Sequence, residues 1–202
     1  MKSSDIIVGL KHIANQYSFI ALIWHVLLFA LIIALFLKWE PSNKLFSLIL
    51  ILPILSIAVL AWINGNPFNG TTFSVLAILL SIFAFRTSNQ PVNTAGILFS
   101  AIGILMVAYG LVYPHFTETS SVIEYLYKAP VGLVPCPTLS VVIGFVLLFN
   151  GFGSQGINSI LILFGLFYGL FGFFKLGVHL DIGLIFGSVV LLVKSIPIFK
   201  IF

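Results

Sequence analysis

"SFIALIWHVLLFALIIALFL", Ser18 to Leu37, runs for 20 residues with one ionisable side chain, His25. At ~1.5 Å of helix rise per residue, that is the length needed to cross about 30 Å of hydrocarbon. Lipid offers the backbone no water, so such a segment must be helical. It is longer than the apolar core of a secretory signal and ends at Lys38 without a small-residue cleavage site, which makes it an uncleaved span. Six more apolar segments follow, at roughly 45–63, 68–85, 94–113, 131–149, 157–174 and 178–196. The expected fold is all-α: a membrane bundle of about seven transmembrane helices in one domain, residues 1–202.

Composition points the same way. The chain is 60% hydrophobic and 7% charged, whereas a soluble domain carries about 25% charged residues. Nine Lys/Arg and five Asp/Glu cannot supply a charged skin for 202 residues. The positive charges stand singly between apolar runs, so the net charge of +4 marks topology, with the lipid bilayer as partner and no nucleic acid. One cysteine excludes an internal disulfide, and no metal-ligand spacing or cofactor motif is present.

Ahead of the first span, Ile6, Ile7, Leu10, Ile13, Ala14 and Tyr17 recur at helical spacing. This predicts an amphipathic helix on the membrane surface, the alternative being a disordered tail. The longest connection, Pro114 to Pro130, has Ser121 and Glu124 at capping-box spacing and predicts a short interfacial helix. Two segments reach spanning length only by counting polar residues: the fifth needs "VGLVPCPT" and the seventh needs "HLD".

Seven spans place Lys2, Lys11, Lys128 and Lys175 on one side and Lys38, Lys44, Arg86, Lys194 and Lys200 on the other. The excess of positive charge, five against four, puts the C-terminus inside and the N-terminus outside a cell membrane. The same topology gathers Cys136, Asp181, His179, Asn66, Tyr113, Thr138 and His115 toward the N-terminal side as candidates for a polar pocket. Lys175, His179 and Tyr113 are the candidate partners of Asp181. A thiol with imidazoles and carboxylates suits a soft or borderline metal, and Cys136 with a histidine and Asp181 can be written as a nucleophilic triad. The plainer reading of Cys136 is a small packed residue where a helix begins. For His25 the plainer reading is a bond to a neighbouring helix carbonyl, with the kink at Pro53 as a source. Gly165, Gly169, Gly183 and Gly187, four apart in pairs, predict close helix crossings within the chain.

"GLVPCPT", preceded by "LVYP" and followed by "LGVHLDIGL", resembles a family of uncharacterised multi-spanning bacterial membrane proteins, a domain of unknown function. "NQYSFIALIW", Asn66-Pro67 and Tyr113-Pro114 fall in the order of that family's elements. The chain departs from it at His25, where the family has proline, and at "GLVP", where it has Gly-Leu-Pro. The resemblance implies a multi-spanning helical fold and brings no activity, substrate or cofactor. The leading functional class is a small permease or binding protein for a small solute or ion. The alternative is a structural or accessory membrane subunit without substrate, and the third is a membrane thiol or metal-binding protein.

Overall fold

The computed structural model describes residues 3–119 and 121–196. In chain order the helices are α1 Ser3–Gln16, α2 Ser18–Phe36, α3 Asn43–Ile63, α4 Pro67–Arg86, α5 Ile97–Leu111, α6 Tyr125–Lys128, α7 Pro135–Leu148, α8 Gln155–Leu170 and α9 Ile182–Ser195. A π-helical turn, Phe171–Lys175, prolongs α8, and a 3-10 turn, His179–Asp181, leads into α9. No strand occurs among the described residues.

Four helices have the length and apolarity of a full crossing: α2, α3, α4, and α8 with its π-turn. This is fewer than the seven expected. The other three apolar segments are helical but short, α5 with 15 residues and α7 and α9 with 14 each. At ~1.5 Å per residue, α7 measures about 21 Å. The missing length is irregular backbone. Asn93 to Gly96 has no regular secondary structure, "VGLV" is a turn, and "HLD" is the 3-10 turn.

Helix α7 is the axis. Every residue from Pro135 to Leu147 is buried, and α5, α9, α8 and α3 surround it. Its closest neighbour is α5, because glycines let the two backbones touch. A Cβ on Gly144 would stand 2.7 Å from the Gly103 carbonyl oxygen, and one on Gly110 would stand 2.6 Å from the Pro137 carbonyl oxygen. The glycines picked out by spacing lie against other helices of the same chain. Gly165 and Gly169 face Ser188 and Ile185 on α9, while Gly183 and Gly187 face Tyr109 and Met106 on α5. Their neighbours are mostly side chains, so these crossings are looser.

The two prolines around Cys136 occupy the first turn of α7. Amides there have no intrahelical acceptor, so proline removes no helix bond. Thr138 completes the turn: its hydroxyl accepts from Gly132 N at 2.8 Å and donates to the Val134 carbonyl at 2.8 Å. Gly132 takes a positive φ of 76° beneath the Trp24 indole, where a Cβ would lie 2.2 Å from the ring. The irregular backbone at the foot of α7 is thus covered by protein.

Helix α2 stands at the margin, with 17% of its apolar window buried. Two polar contacts fasten it. Trp24 Nε1 donates to Ser56 Oγ at 3.1 Å, and the buried His25 ring lies 2.8 Å from the Ala21 carbonyl and 2.9 Å from that of Leu111. The partner of His25 is therefore the last carbonyl of α5, which no amide of its own helix can reach. It is not a carbonyl released at Pro53. Helix α1 buries Leu10, Ile13 and Ala14, and its Asn15 holds the loop after α5 by donating to the Phe116 carbonyl and accepting from Glu118 N. In the longest connection Ser121 accepts from Ile123 N, and Glu124 pairs with Lys128 at 2.6 Å.

Alanine at Gly103 or Gly144 is expected to destabilise the bundle by about 1–3 kcal/mol, because backbone cannot yield to the added methyl. Gly187→Ala is expected to cost less, since its nearest neighbour is the flexible end of Met106. Thermal unfolding of the three variants in detergent gives the order, and equal midpoints would remove α5–α7 contact as the tight crossing.

Candidate functional site

The helix ends segregate into two sets, and each carries a polar cluster. At the N-terminal end, α5, α7 and the turn before α9 bring three of the seven sequence candidates together. Asp181 is 1% exposed, and its Oδ1 accepts from Tyr113 OH at 2.6 Å. The Cys136 thiol stands beside the same carboxyl. Asp181 Oδ2 is buried without a partner of hydrogen-bond geometry. It is pressed against Gly172 in the π-turn, where a Cβ would stand 1.7 Å away. Tyr109, stacked edge-on against Tyr113, donates to the Leu180 carbonyl and ties α5 to the same turn.

The other four candidates lie apart. Asn66 caps α4 by accepting from Asn69 N, and Thr138 is spent on the turn before α7. His179 is exposed against Phe173, 5.5 Å between ring centres. His115 is half-buried against Phe116, and burial followed by the nearby Lys11 charge pushes its imidazole below the ordinary range. Neither imidazole bonds to Cys136 or Asp181, so the triad is not assembled. Among the described residues no three of His, Cys, Asp and Glu could hold a metal ion. The three residues that meet form a closed knot: Tyr113 is fully buried and Cys136 is 6% exposed. Gly172 and Tyr109 were missed by sequence reasoning because nothing local distinguishes them from other packing residues.

The opposite end has the space. A polar cavity of about 300 Å³ lies between the starts of α5 and α8 and the end of α9. Thr94, Gly96, Ser154, Asn158, Lys194 and Ser195 are among the residues that line it. Its floor follows from the loop "NGFG", whose four residues Asn150 to Gly153 all take positive φ between 49° and 66°. That run tucks the Phe152 ring against Phe46 and brings Gly151 onto the Asn158 side chain. Lys194 is 7% exposed, donates to the Val146 and Leu147 carbonyls at 3.4 and 3.1 Å, and lies over the Phe99 ring. Asn158 is equally buried, and its Oδ1 has no partner. None of the seven sequence candidates lines this cavity. Lys194 had been read only as a topology charge.

A second cavity of about 720 Å³, almost wholly apolar, runs between α2 and the α5–α7 pair. Phe29, Ile32, Leu35, Val107, Phe145 and Leu148 are on its walls, and Lys38, Glu40 and Asn93 stand at one end. Thr94 lines both cavities.

Because the thiol is packed in the core, Cys136 is expected to stay unreactive toward a small maleimide in folded, detergent-solubilised protein and to react on denaturation. Rapid labelling of the folded chain would show an open crevice instead. Tyr113→Phe leaves the buried carboxyl without its donor and is expected to cost about 1–3 kcal/mol of stability, read as a lower unfolding midpoint.

The chain matches no known family model, no curated protein and no solved structure.

Proposed function

We propose that this chain is a multi-pass membrane protein that binds a small solute or ion, as a binding protein or small permease, in the polar cavity at the Lys194 end. The observation that carries the reading is the cavity itself, about 300 Å³ of space lined by polar groups with a buried lysine and a buried, unsatisfied asparagine. Polar groups at such depth are costly unless they meet a partner or line a route for one.

On this reading all seven apolar helices cross the bilayer. The short ones reach its faces through the turn before α7 and the 3-10 turn before α9, which extend the path of the chain. Consecutive helices running in alternate directions bring Lys38, Lys44, Arg86 and Lys194 to one face, and the positive-inside rule makes that face cytoplasmic. The cavity then opens toward the cytoplasm. The order of "NQYSFIALIW", Asn66-Pro67, Tyr113-Pro114, "GLVPCPT" and "LGVHLDIGL" supports kinship with the uncharacterised family noted above. The second reading, an accessory subunit without substrate, draws on the closed Tyr113–Asp181–Cys136 knot, which offers no room for a ligand.

The test is thermal unfolding of the purified full chain against a panel of small anions, cations, sugars, polyol phosphates and amino acids. A solute that binds the native state raises the midpoint by mass action. The shift is expected for at least one class of solute and is expected to vanish when Ser195→Trp fills the cavity. No shift from any class favours the accessory reading.

A further inference from the structure

The Lys194 cavity sets a buried cation and helix-start amides beside a buried, unmet acceptor, and we infer that its ligand is a phosphate ester of a small polyol, with a phosphoglycerol group as the simplest case. This rests on the solute-binding reading and names the ligand class.

The argument for an anion begins with Lys194. It lines the cavity, and no carboxylate pairs with it among the described residues. An ammonium has three protons. Two point to the Val146 and Leu147 carbonyls, which leaves one for the cavity. Helix α5 starts behind Gly96 with no side-chain cap, and α8 starts at Gln155, both at the cavity wall. The first amides of a helix have no intrahelical acceptor, and their end of the dipole favours negative charge. The hydroxyls of Thr94 and Ser154 add further donors, Ser154 Oγ keeping its proton while it accepts from Ile157 N, whereas the Ser195 hydroxyl is already donated to the Leu191 carbonyl. No Asp or Glu lines the space.

Asn158 separates a bare anion from an ester of a polyol. Its Oδ1 is buried at the same wall without a partner, and only a donor can satisfy it. Sulfate and chloride have none to give, whereas a hydroxyl carried beside a phosphate does. The volume agrees. At about 30 Å³ for each water, a single inorganic ion would leave most of the cavity to solvent.

A phosphoglycerol group has two sources here. It is a free metabolite, and it is also the headgroup of an anionic glycerolipid. Thr94 lines both the polar cavity and the apolar groove between α2 and α5–α7, so an apolar surface suited to an acyl chain lies next to the site.

The experiment measures binding to the purified full chain by calorimetry in detergent. The probes are glycerol phosphate, glycerol, sulfate and acetate, with a second arm in phosphatidylcholine nanodiscs with and without phosphatidylglycerol. Glycerol phosphate is expected to bind at least about tenfold more tightly than glycerol or acetate, the loss of a charge-assisted bond being worth that much. Lys194→Met is expected to weaken it by a similar factor, and Lys194→Arg to restore part of the loss. Asn158→Leu should weaken glycerol phosphate more than sulfate, which has no proton to give. Competition by phosphatidylglycerol, or stabilisation by it alone, identifies the lipid as the source, and its indifference identifies the free ester. If glycerol or acetate binds as tightly as glycerol phosphate, the inference is overturned while solute binding stands. If nothing binds, both fail. Should Lys194→Met not fold, the order of the four probes on the native chain decides.

Discussion

The contact between Gly103 and Gly144 sets the rest of the bundle. Within lipid, apolar side chains gain nothing from leaving water, so helices associate through close packing and polar bonds. With Gly110 beside Pro137, the α5–α7 pair meets backbone to backbone along its length. That pair makes a thin two-helix core around which α3, α8 and α9 close, and α7 is left with no face of its own to lipid. The chain before this 14-residue helix is the turn that Trp24 covers, so the enclosed segment continues as irregular backbone.

Much of this was legible in the sequence, and the reasons are local. Each apolar run from Ser18 onward became a helix, because hydropathy and backbone satisfaction are properties of the segment alone. The lengths of the short helices were harder to read. Whether "VGLV" continues a helix depends on Trp24 closing over Gly132, more than a hundred residues away in the chain. Spacing found Gly165 and Gly169, but Gly103 and Gly144 stand in different helices and become a pair only when those helices cross.

The sites divide in the same way. Asp181 and Tyr113 stood out as polar residues at helix edges, and the structure joins them across 68 positions. Gly172, which makes room for the carboxyl, carries no such mark. The Lys194 cavity was missed because a lysine near a helix end resembles a topology charge, and burial is invisible in one dimension. Two signals were present nonetheless: Asn158 within an apolar helix and the glycine-rich "NGFG" before it. The two ends of the bundle thus use polarity differently. One spends it on closure and the other keeps space beside it.

The placement of His25 bears on how the chain is assembled. Synthesis delivers α2 to the bilayer long before Leu111 exists, and during that interval the imidazole has only the carbonyl of Ala21 on its own helix. Its second contact appears when α5 emerges and exposes the Leu111 carbonyl. The His25 contact of α2 therefore closes only once α5 has been made, some 86 residues later, whereas its Trp24–Ser56 contact can form as soon as α3 follows.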